Sequence, residues 1–407
     1  MRKTLFIVLA LLVLGMSVFW FSLDKDARAF LAKGQTSSDV LFWSTDERDA
    51  GFRVLDAFPF LAGSRTIAAG GDILDLPDGD PITLPVDVEG YMTNQRTSAL
   101  VIVHKGKVVL EEYGLEFSNE GKWTSFSVAK SLTSTLVGAA IADGSIASID
   151  DPVTKYIANL KGSAYDEVSI AQLLTMTSGV AWNEDYGDPN SDVAKFNNHQ
   201  AEEGMDTTVS YMRSLPREAP AGEKWVYKTG ETNLIGVLVS EATGKTLADY
   251  LSEKIWAPFG MQQDATWLLN KTGNEISGCC IQAATRDMAR FGMFMLAQGQ
   301  VGGKPVLPEG WIEAATTRQA DIGTPGEGYG YQWWTYDDGS YAAQGIFGQG
   351  IFIDPARDLV IASNANWPEA VPQEQAAERN QFYRAVQGVF EAKGVESANV
   401  SADAIAE

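Results

Sequence analysis

The sequence predicts an α/β (α+β) protein, in which an antiparallel sheet flanked by helices carries an inserted all-helical subdomain. Three observations predict it. Strand-like apolar runs occur near both ends of the chain, Ala99–Val103 and Lys107–Tyr113 early and four short runs after Gly328 late. Between them, from about Asp150 to Asp287, helical periodicity dominates. The chain has 407 residues, 45 % of them hydrophobic, with 11 Trp and 18 Phe. That is enough for a large core and excludes global disorder.

In chain order, Arg2 and Lys3 precede an apolar run from Leu5 to Phe21. This start predicts a signal peptide or membrane anchor over residues 1–29. Ala27-Arg28-Ala29 has the small-x-small pattern of a cleavage site, whereas Phe19-Trp20-Phe21 has that of an interfacial aromatic anchor. A retained or slowly cleaved anchor is the favoured expectation, with membrane association through residues 4–21. In either case the body is exported, to the periplasm or to the envelope face of the membrane. Residues 30–95 are acidic, with scattered Gly and Pro and no sustained period. They predict an irregular extension wrapping the main body.

Lys105-Gly106 between the first two apolar runs predicts a β-hairpin. Leu132 to Ile141 predicts a buried helix ending near Gly144, and Ser169–Met176 a helix stopped by Gly179. A polar loop from Trp182 to Ala201 follows. Helices are expected over Thr232–Thr243, closed by Gly244, then Leu247–Trp256 and Ala284–Leu296. After Gly328, strands are predicted over Tyr329–Thr335, Ser340–Phe347, Gly350–Asp354 and Asp358–Ser363, and a closing helix from about Glu374 to Glu391. Residues 96–160 and 288–395 therefore form the sheet domain, 161–287 the helical subdomain and 396–407 a tail.

The net charge of −22 argues against nucleic-acid binding, which requires basic surface. Cys279 and Cys280 are the only cysteines and adjacent, so no long-range disulfide framework is possible. An inert buried pair is the favoured reading and a vicinal disulfide the alternative. The two histidines, His104 at the hairpin turn and His199 in the polar loop, leave little room for a zinc site or Ser-His-Asp chemistry. No metal or organic cofactor is implied.

A different nucleophile–base pair is available in Ser125-Phe126-Ser127-Val128-Ala129-Lys130. Opening a helix, Ser127 and Lys130 fall on one face. Burial lowers a lysine's pKa and lets it act as the base that a weak serine nucleophile needs. The helix N-terminus adds free N–H groups for an oxyanion. Taken alone, the motif fits a capping serine and a solvated lysine better. Ser22-Leu23-Asp24-Lys25 repeats it where no pocket is expected. A second constellation, Trp225-Val226-Tyr227-Lys228-Thr229-Gly230, places Tyr227 before a helix. A neighbouring lysine would lower its phenol pKa and make it a proton relay; a buried core tyrosine is the alternative. The third, Gln344-Gly345-Ile346-Phe347-Gly348-Gln349-Gly350-Ile351, has glycines that mark either close approach of a ligand or a bulge.

The order and spacing of these segments resemble the class C β-lactamase-like serine hydrolases, with their Ser-x-x-Lys, Tyr-x-Asn or Tyr-x-Ser, and Lys-Thr-Gly motifs. Leu173-Leu174-Thr175-Met176-Thr177-Ser178-Gly179 and Gly260-Met261 are similar to that superfamily too, and the likeness covers roughly residues 95–392. The resemblance implies a β-lactamase/transpeptidase-like fold. It implies Ser127 as the acylated nucleophile, Lys130 and Tyr227 as the proton-transfer pair, and the N–H groups of Ser127 and Ile351 as the oxyanion hole. Thr229, Gly348 and Gly350 would contact the substrate. Thr229 stands where Asn is usual, and Gly348-Gln349-Gly350 where Lys-Thr-Gly is usual. The missing lysine removes a partner for a β-lactam or peptide carboxylate, which counts against the rival reading of a β-lactamase or D-alanyl peptidase on the same fold; a non-catalytic envelope binding module is the rival from another class. Tyr186-Gly187-Asp188-Pro189-Asn190-Ser191-Asp192 is similar to a segment of 6-aminohexanoate-dimer hydrolases and related carboxylesterases. That likeness implies Tyr186 as a substrate contact and a small ester or amide as substrate; a loop aromatic plugging the subdomain is the other reading of Tyr186.

Overall fold

The computed structural model describes residues 2–23, 25–33, 40–58 and 63–392. The predicted tail, residues 396–407, lies outside the described residues, as do Asp24 and parts of the N-terminal extension. Helices α1 (Arg2–Ser22), α2 (Lys25–Lys33), α3 (Thr45–Gly51) and α4 (Val88–Asn94) precede the main body, with strand β1 (Ser64–Ile67) between α3 and α4. Strands β2 (Thr97–His104), β3 (Lys107–Tyr113) and β4 (Trp123–Thr124) lead to α5 (Val128–Ala142). Then come α6 (Ile170–Leu174), α7 (Asp192–Asn198), α8 (Thr207–Met212), α9 (Thr229–Thr243) and α10 (Leu247–Leu251). Strands β5 (Ala265–Leu268) and β6 (Ile281–Ala283), helix α11 (Thr285–Leu296), the small hairpin β7 (Gln300–Val301) and β8 (Lys304–Pro305), and α12 (Trp311–Thr316) follow. The chain closes with β9 (Glu327–Tyr329), β10 (Trp334–Tyr336), β11 (Tyr341–Gly345), β12 (Gln349–Asp354), β13 (Leu359–Ala365) and α13 (Gln373–Gln387).

The main sheet has seven antiparallel strands in the order β3-β2-β13-β12-β11-β10-β9, joining both ends of the chain as predicted. Side chains alternate across it. Val101, Val103, Ala343, Ile351, Ile353, Val360 and Ala362 share a core with α5 and α11. Leu100, Ile102, Ala342, Phe352, Leu359 and Ile361 instead meet Phe382, Tyr383 and Val386 of α13. Helix α5 is buried from Val128 to Ala140. Its hydroxyls are satisfied by backbone carbonyls: Ser131 donates to Gln332 (2.7 Å), Thr133 to Ser277 (2.9 Å) and Ser134 to Tyr331 (2.7 Å). A buried polar group left unpaired costs about 1–3 kcal/mol, so these bonds seat the helix in one register.

Three expectations need correction. Residues 30–95 are irregular only in part: among the described residues Phe30, Trp43, Phe58 and Leu268 form a core of their own around short helices, whereas residues 68–87 form no helix or strand. Each element there is too short to show a period. The inserted region is not all-helical, because β5 and β6 join β1 and β4 in a second sheet of order β1-β5-β6-β4. The predicted strand Tyr329–Thr335 is broken at Gln332, whose φ of 64° reverses the chain into β10. The Gln332 side chain is consumed there, bonding Thr232 and the carbonyls of Leu173 and Leu174. Helix α1 exposes apolar side chains from Phe6 to Phe21. Among the described residues no helix is long and apolar enough to cross a membrane.

Candidate active site

The turn into α5 presents Ser127. Phe126, one residue before it, has φ 42°, an unfavourable conformation for a bulky side chain, held here by packing. Ser125 pins the turn to β6: its N–H donates to the Ile281 carbonyl (2.8 Å), and its Oγ accepts from the Ile281 N–H (3.0 Å). Ser127 is the N-cap residue of α5 but makes no capping hydrogen bond with its side chain, so the capping reading does not hold. Its hydroxyl lies beside the Tyr227 phenol, close enough to lower that phenol's pKa.

Lys130, 1 % exposed, lies one turn on. Its Nζ donates to the Gly278 carbonyl (2.7 Å) and to Thr229 Oγ1 (3.0 Å), and lies 5.3 Å from the centre of the Tyr227 ring. Burial lowers its pKa from 10.5 to about 8, against an opposing pull from the Glu184 carboxylate. Asn233 on α9 steadies this corner, accepting from the Gly278 N–H (3.0 Å) and donating to the Thr229 carbonyl (3.1 Å).

Tyr227 sits among Trp225, Tyr329 and Trp334 and stacks on Trp334 at 5.7 Å. The lowered phenol pKa expected beside a lysine is not found. Burial and the negative Glu184 raise it, and the nearby Ser127 hydroxyl offsets only part of that. Tyr227 is therefore a neutral phenol, able to donate and relay a proton but not to serve as a phenolate. The lysine beside it in sequence, Lys228, points into the core, where it pairs with Glu231 at 3.6 Å.

Glu184, absent from the sequence-based candidates, organises the mouth of the site. It accepts from the Thr229 N–H (2.9 Å), the Thr229 hydroxyl, the Tyr186 phenol (2.6 Å) and the Trp182 indole. Thr229 thus bridges Glu184 to Lys130, and Tyr186 is tied to the same carboxylate. The loop carrying them is held by Asp192, which accepts from the Asn183 N–H and the Tyr211 hydroxyl.

Ser127, Lys130, Tyr227, Thr229 and Tyr186 converge, but Ile351, Gly348 and Gly350 do not join them. Ile351 is flanked by Ala343 on β11 and Ala362 on β13, so its N–H is committed to the sheet. A side chain at Gly350 would meet the Tyr383 hydroxyl at 2.7 Å, on the α13 side of the sheet, and one at Gly348 the Trp367 ring at 2.5 Å. The main chain that approaches the nucleophile is instead Gly345–Ile346: a Cβ on Gly345 would lie 2.8 Å from the Ser125 carbonyl and 3.1 Å from Phe126 Cβ. Neither the Ser127 N–H nor the Ile346 N–H donates to a backbone carbonyl among the described residues. Both N–H groups are thus left without a backbone partner. The segment beside Ser127, Ala343-Gln344-Gly345, also lacks a lysine.

His199 bonds Ser210 (2.8 Å) and His104 stacks on Phe390, both apart from these residues. In the second Ser-x-x-Lys pattern, Ser22 bonds the Phe19 carbonyl and Lys25 the Glu116 carbonyl, so the two do not form a pair. Cys279 and Cys280 form a vicinal disulfide rather than the favoured free pair, immediately after the carbonyl that holds Lys130.

The fold is that of a serine hydrolase family. Residues 87–385 match the family model described as Beta-lactamase, and the chain belongs to that family. It is 32 % identical over 302 residues to the 6-aminohexanoate-dimer hydrolase of Paenarthrobacter ureafaciens, a match covering 70 % of this chain and 76 % of that protein. Among solved structures, a 6-aminohexanoate-dimer hydrolase candidate from Bacillus anthracis superposes with a TM-score of 0.74 at 23 % identity, over 84 % of this chain and 93 % of the other. EstCE1, a hydrolase with promiscuous acyltransferase activity, has the same fold, with a TM-score of 0.58 at 13 % identity, over 73 % and 96 % of the two chains.

Proposed function

We propose that the protein hydrolyses a small amide or ester through an acyl-enzyme on Ser127. The reading is carried by one observation: a buried lysine with a pKa lowered to about 8, one helical turn from a serine whose hydroxyl is free of capping and lies beside a neutral tyrosine. Free Lys130 amine takes the Ser127 proton as Oγ attacks the carbonyl carbon. Negative charge on the carbonyl oxygen is met by the N–H groups of Ser127 and Ile346. As the C–N or C–O bond breaks, Tyr227 passes its proton to the leaving group and is reprotonated from the Lys130 ammonium. Water, deprotonated by the same pair, then releases the acid and restores Ser127.

The amide reading draws support from the 6-aminohexanoate-dimer hydrolase relative. Tyr186, tethered to the same Glu184 carboxylate as Thr229, is the candidate for a substrate contact. The absence of a lysine from Ala343-Gln344-Gly345 counts against substrates that need a cation for their carboxylate, including β-lactams and D-alanyl peptides. The exposed apolar helix α1 supports an exported protein held at a membrane. The test is turnover of the linear 6-aminohexanoate dimer, a short-chain nitrophenyl ester and a chromogenic cephalosporin by wild type, Ser127→Ala and Lys130→Ala. Dimer or ester turnover lost in both variants supports the reading. Cephalosporin turnover alone overturns it in favour of a β-lactamase.

A further inference from the structure

We propose that Phe52, backed by Arg48, is a positioning residue for acyl transfer, bracing from outside the family module the two turns that present the oxyanion donors. The inference rests on assigning those donors to Ser127 and Ile346. Each donor adjoins a bulky residue in a left-handed conformation, Phe126 (φ 42°) before Ser127 and Phe347 (φ 61°) after Ile346. Such conformations persist only where the surroundings over-determine them. What surrounds both is one ring. Phe52 is fully buried, 4.9 Å from Phe126 and edge-on to it, and 5.6 Å from Phe347, while Phe126 and Phe347 are 5.3 Å apart. Ile346 belongs to the same cluster.

The brace is tied down at both ends. The Phe52 carbonyl accepts from the Thr124 N–H (3.0 Å), which joins it to the strand leading to Ser127. Arg48 lies 4.3 Å over the Phe347 ring and donates to the carbonyls of Trp367 (3.0 Å) and Pro368 (2.9 Å). The Phe347 carbonyl in turn accepts from the Trp367 N–H (3.1 Å). Arg48 and Phe52 both precede residue 87, where the family match begins. A segment peripheral in sequence therefore fixes the separation of two main-chain donors at the centre of the chemistry. Oxyanion stabilisation depends steeply on donor placement, so loosening the brace weakens transition-state binding while leaving ground-state binding nearly unchanged.

The test uses the full chain with Phe52→Ala, Phe52→Leu and Arg48→Met. Each is titrated for active sites with a fluorophosphonate, then assayed for kcat and KM on an ester, inhibition by phenylboronic acid and thermal midpoint. The expected result for Phe52→Ala is a boronate Ki raised about tenfold, kcat lowered by a similar factor and KM within about twofold. Phe52→Leu should fall between it and wild type, and decides the matter if the alanine variant does not fold. A lowered thermal midpoint with unchanged Ki and kcat per active site overturns the bracing role and leaves the Ser127 assignment standing. A folded wild type that neither labels nor binds the boronate overturns both.

Discussion

Replacing Glu184 by glutamine tests how the site tunes its base. In wild type kcat/KM should rise with pH through an inflection near 8, because only free Lys130 amine can accept the Ser127 proton. Glu184 opposes the lowering by favouring the ammonium form. Lys130 Nζ is 3.0 Å from Thr229 Oγ1, which in turn donates to Glu184. A charge separation of roughly 5 Å at an effective dielectric near 20 gives about 3 kcal/mol. Glu184 is partly exposed, which reduces this to about 1 kcal/mol. Glutamine keeps the shape and removes the charge, so the ammonium is less stable and the inflection should fall by about half to one pH unit. The assay is kcat/KM for a nitrophenyl ester from pH 5.5 to 10, with substrate hydrolysis subtracted, repeated at high salt. An inflection that stays in place or moves upward would refute the electrostatic link through Thr229.

Gly345→Ala should lower kcat at least about tenfold with a stability loss of about 1–2 kcal/mol, because the new Cβ would lie 2.8 Å from the Ser125 carbonyl and push apart the two donor turns; kcat and urea midpoints check it. Glu231→Leu leaves the Lys228 ammonium buried without its carboxylate, so unfolding free energy should fall by about 3–5 kcal/mol, measured by urea denaturation at pH 7. Cys279→Ser with Cys280→Ser should change kcat less than about threefold, since Asn233 holds Gly278 independently of the disulfide. Asn233→Ala should cost more than about tenfold in kcat, because it frees the carbonyl that seats Lys130. The reverse ranking in steady-state kinetics would show that the disulfide, not Asn233, sets the lysine.

The parts of this protein that were legible in its sequence are those encoded locally. β2 and β3 declare themselves by apolar runs around a Lys-Gly turn and α5 by an unbroken apolar stretch, whereas Ser127, Lys130 and Tyr227 stood out only through the family resemblance, because the Ser-x-x-Lys pattern recurs at Ser22. The main-chain segment that approaches the Ser127 turn was misplaced for a physical reason. Gly-Ile-Phe occurs twice, at Gly345-Ile346-Phe347 and Gly350-Ile351-Phe352. Only strand pairing separates the copy that turns against Ser125 from the copy that continues inside the sheet. Glu184 went unseen because Asp185, Asp188 and Asp192 surround it in sequence and composition does not distinguish the carboxylate that faces inward. The rise in the Tyr227 pKa is likewise tertiary: Trp225, Tyr329 and Trp334 exclude water more effectively than the lysine next in sequence, which points into the core, can compensate. The N-terminal extension concealed its order because Phe30, Trp43 and Phe52 each anchor a separate short element and so leave no repeat to read.

The most direct test of the central claim is intact-protein mass spectrometry of an acyl-enzyme, with a slowly hydrolysed nitrophenyl ester mixed with enzyme and quenched in acid within the first turnovers. The account predicts one added acyl group per chain, mapping by proteolysis to the peptide that contains Ser127, and no adduct in Ser127→Ala. Stoichiometric acylation at another residue, or ester turnover by Ser127→Ala at the wild-type rate, would contradict it.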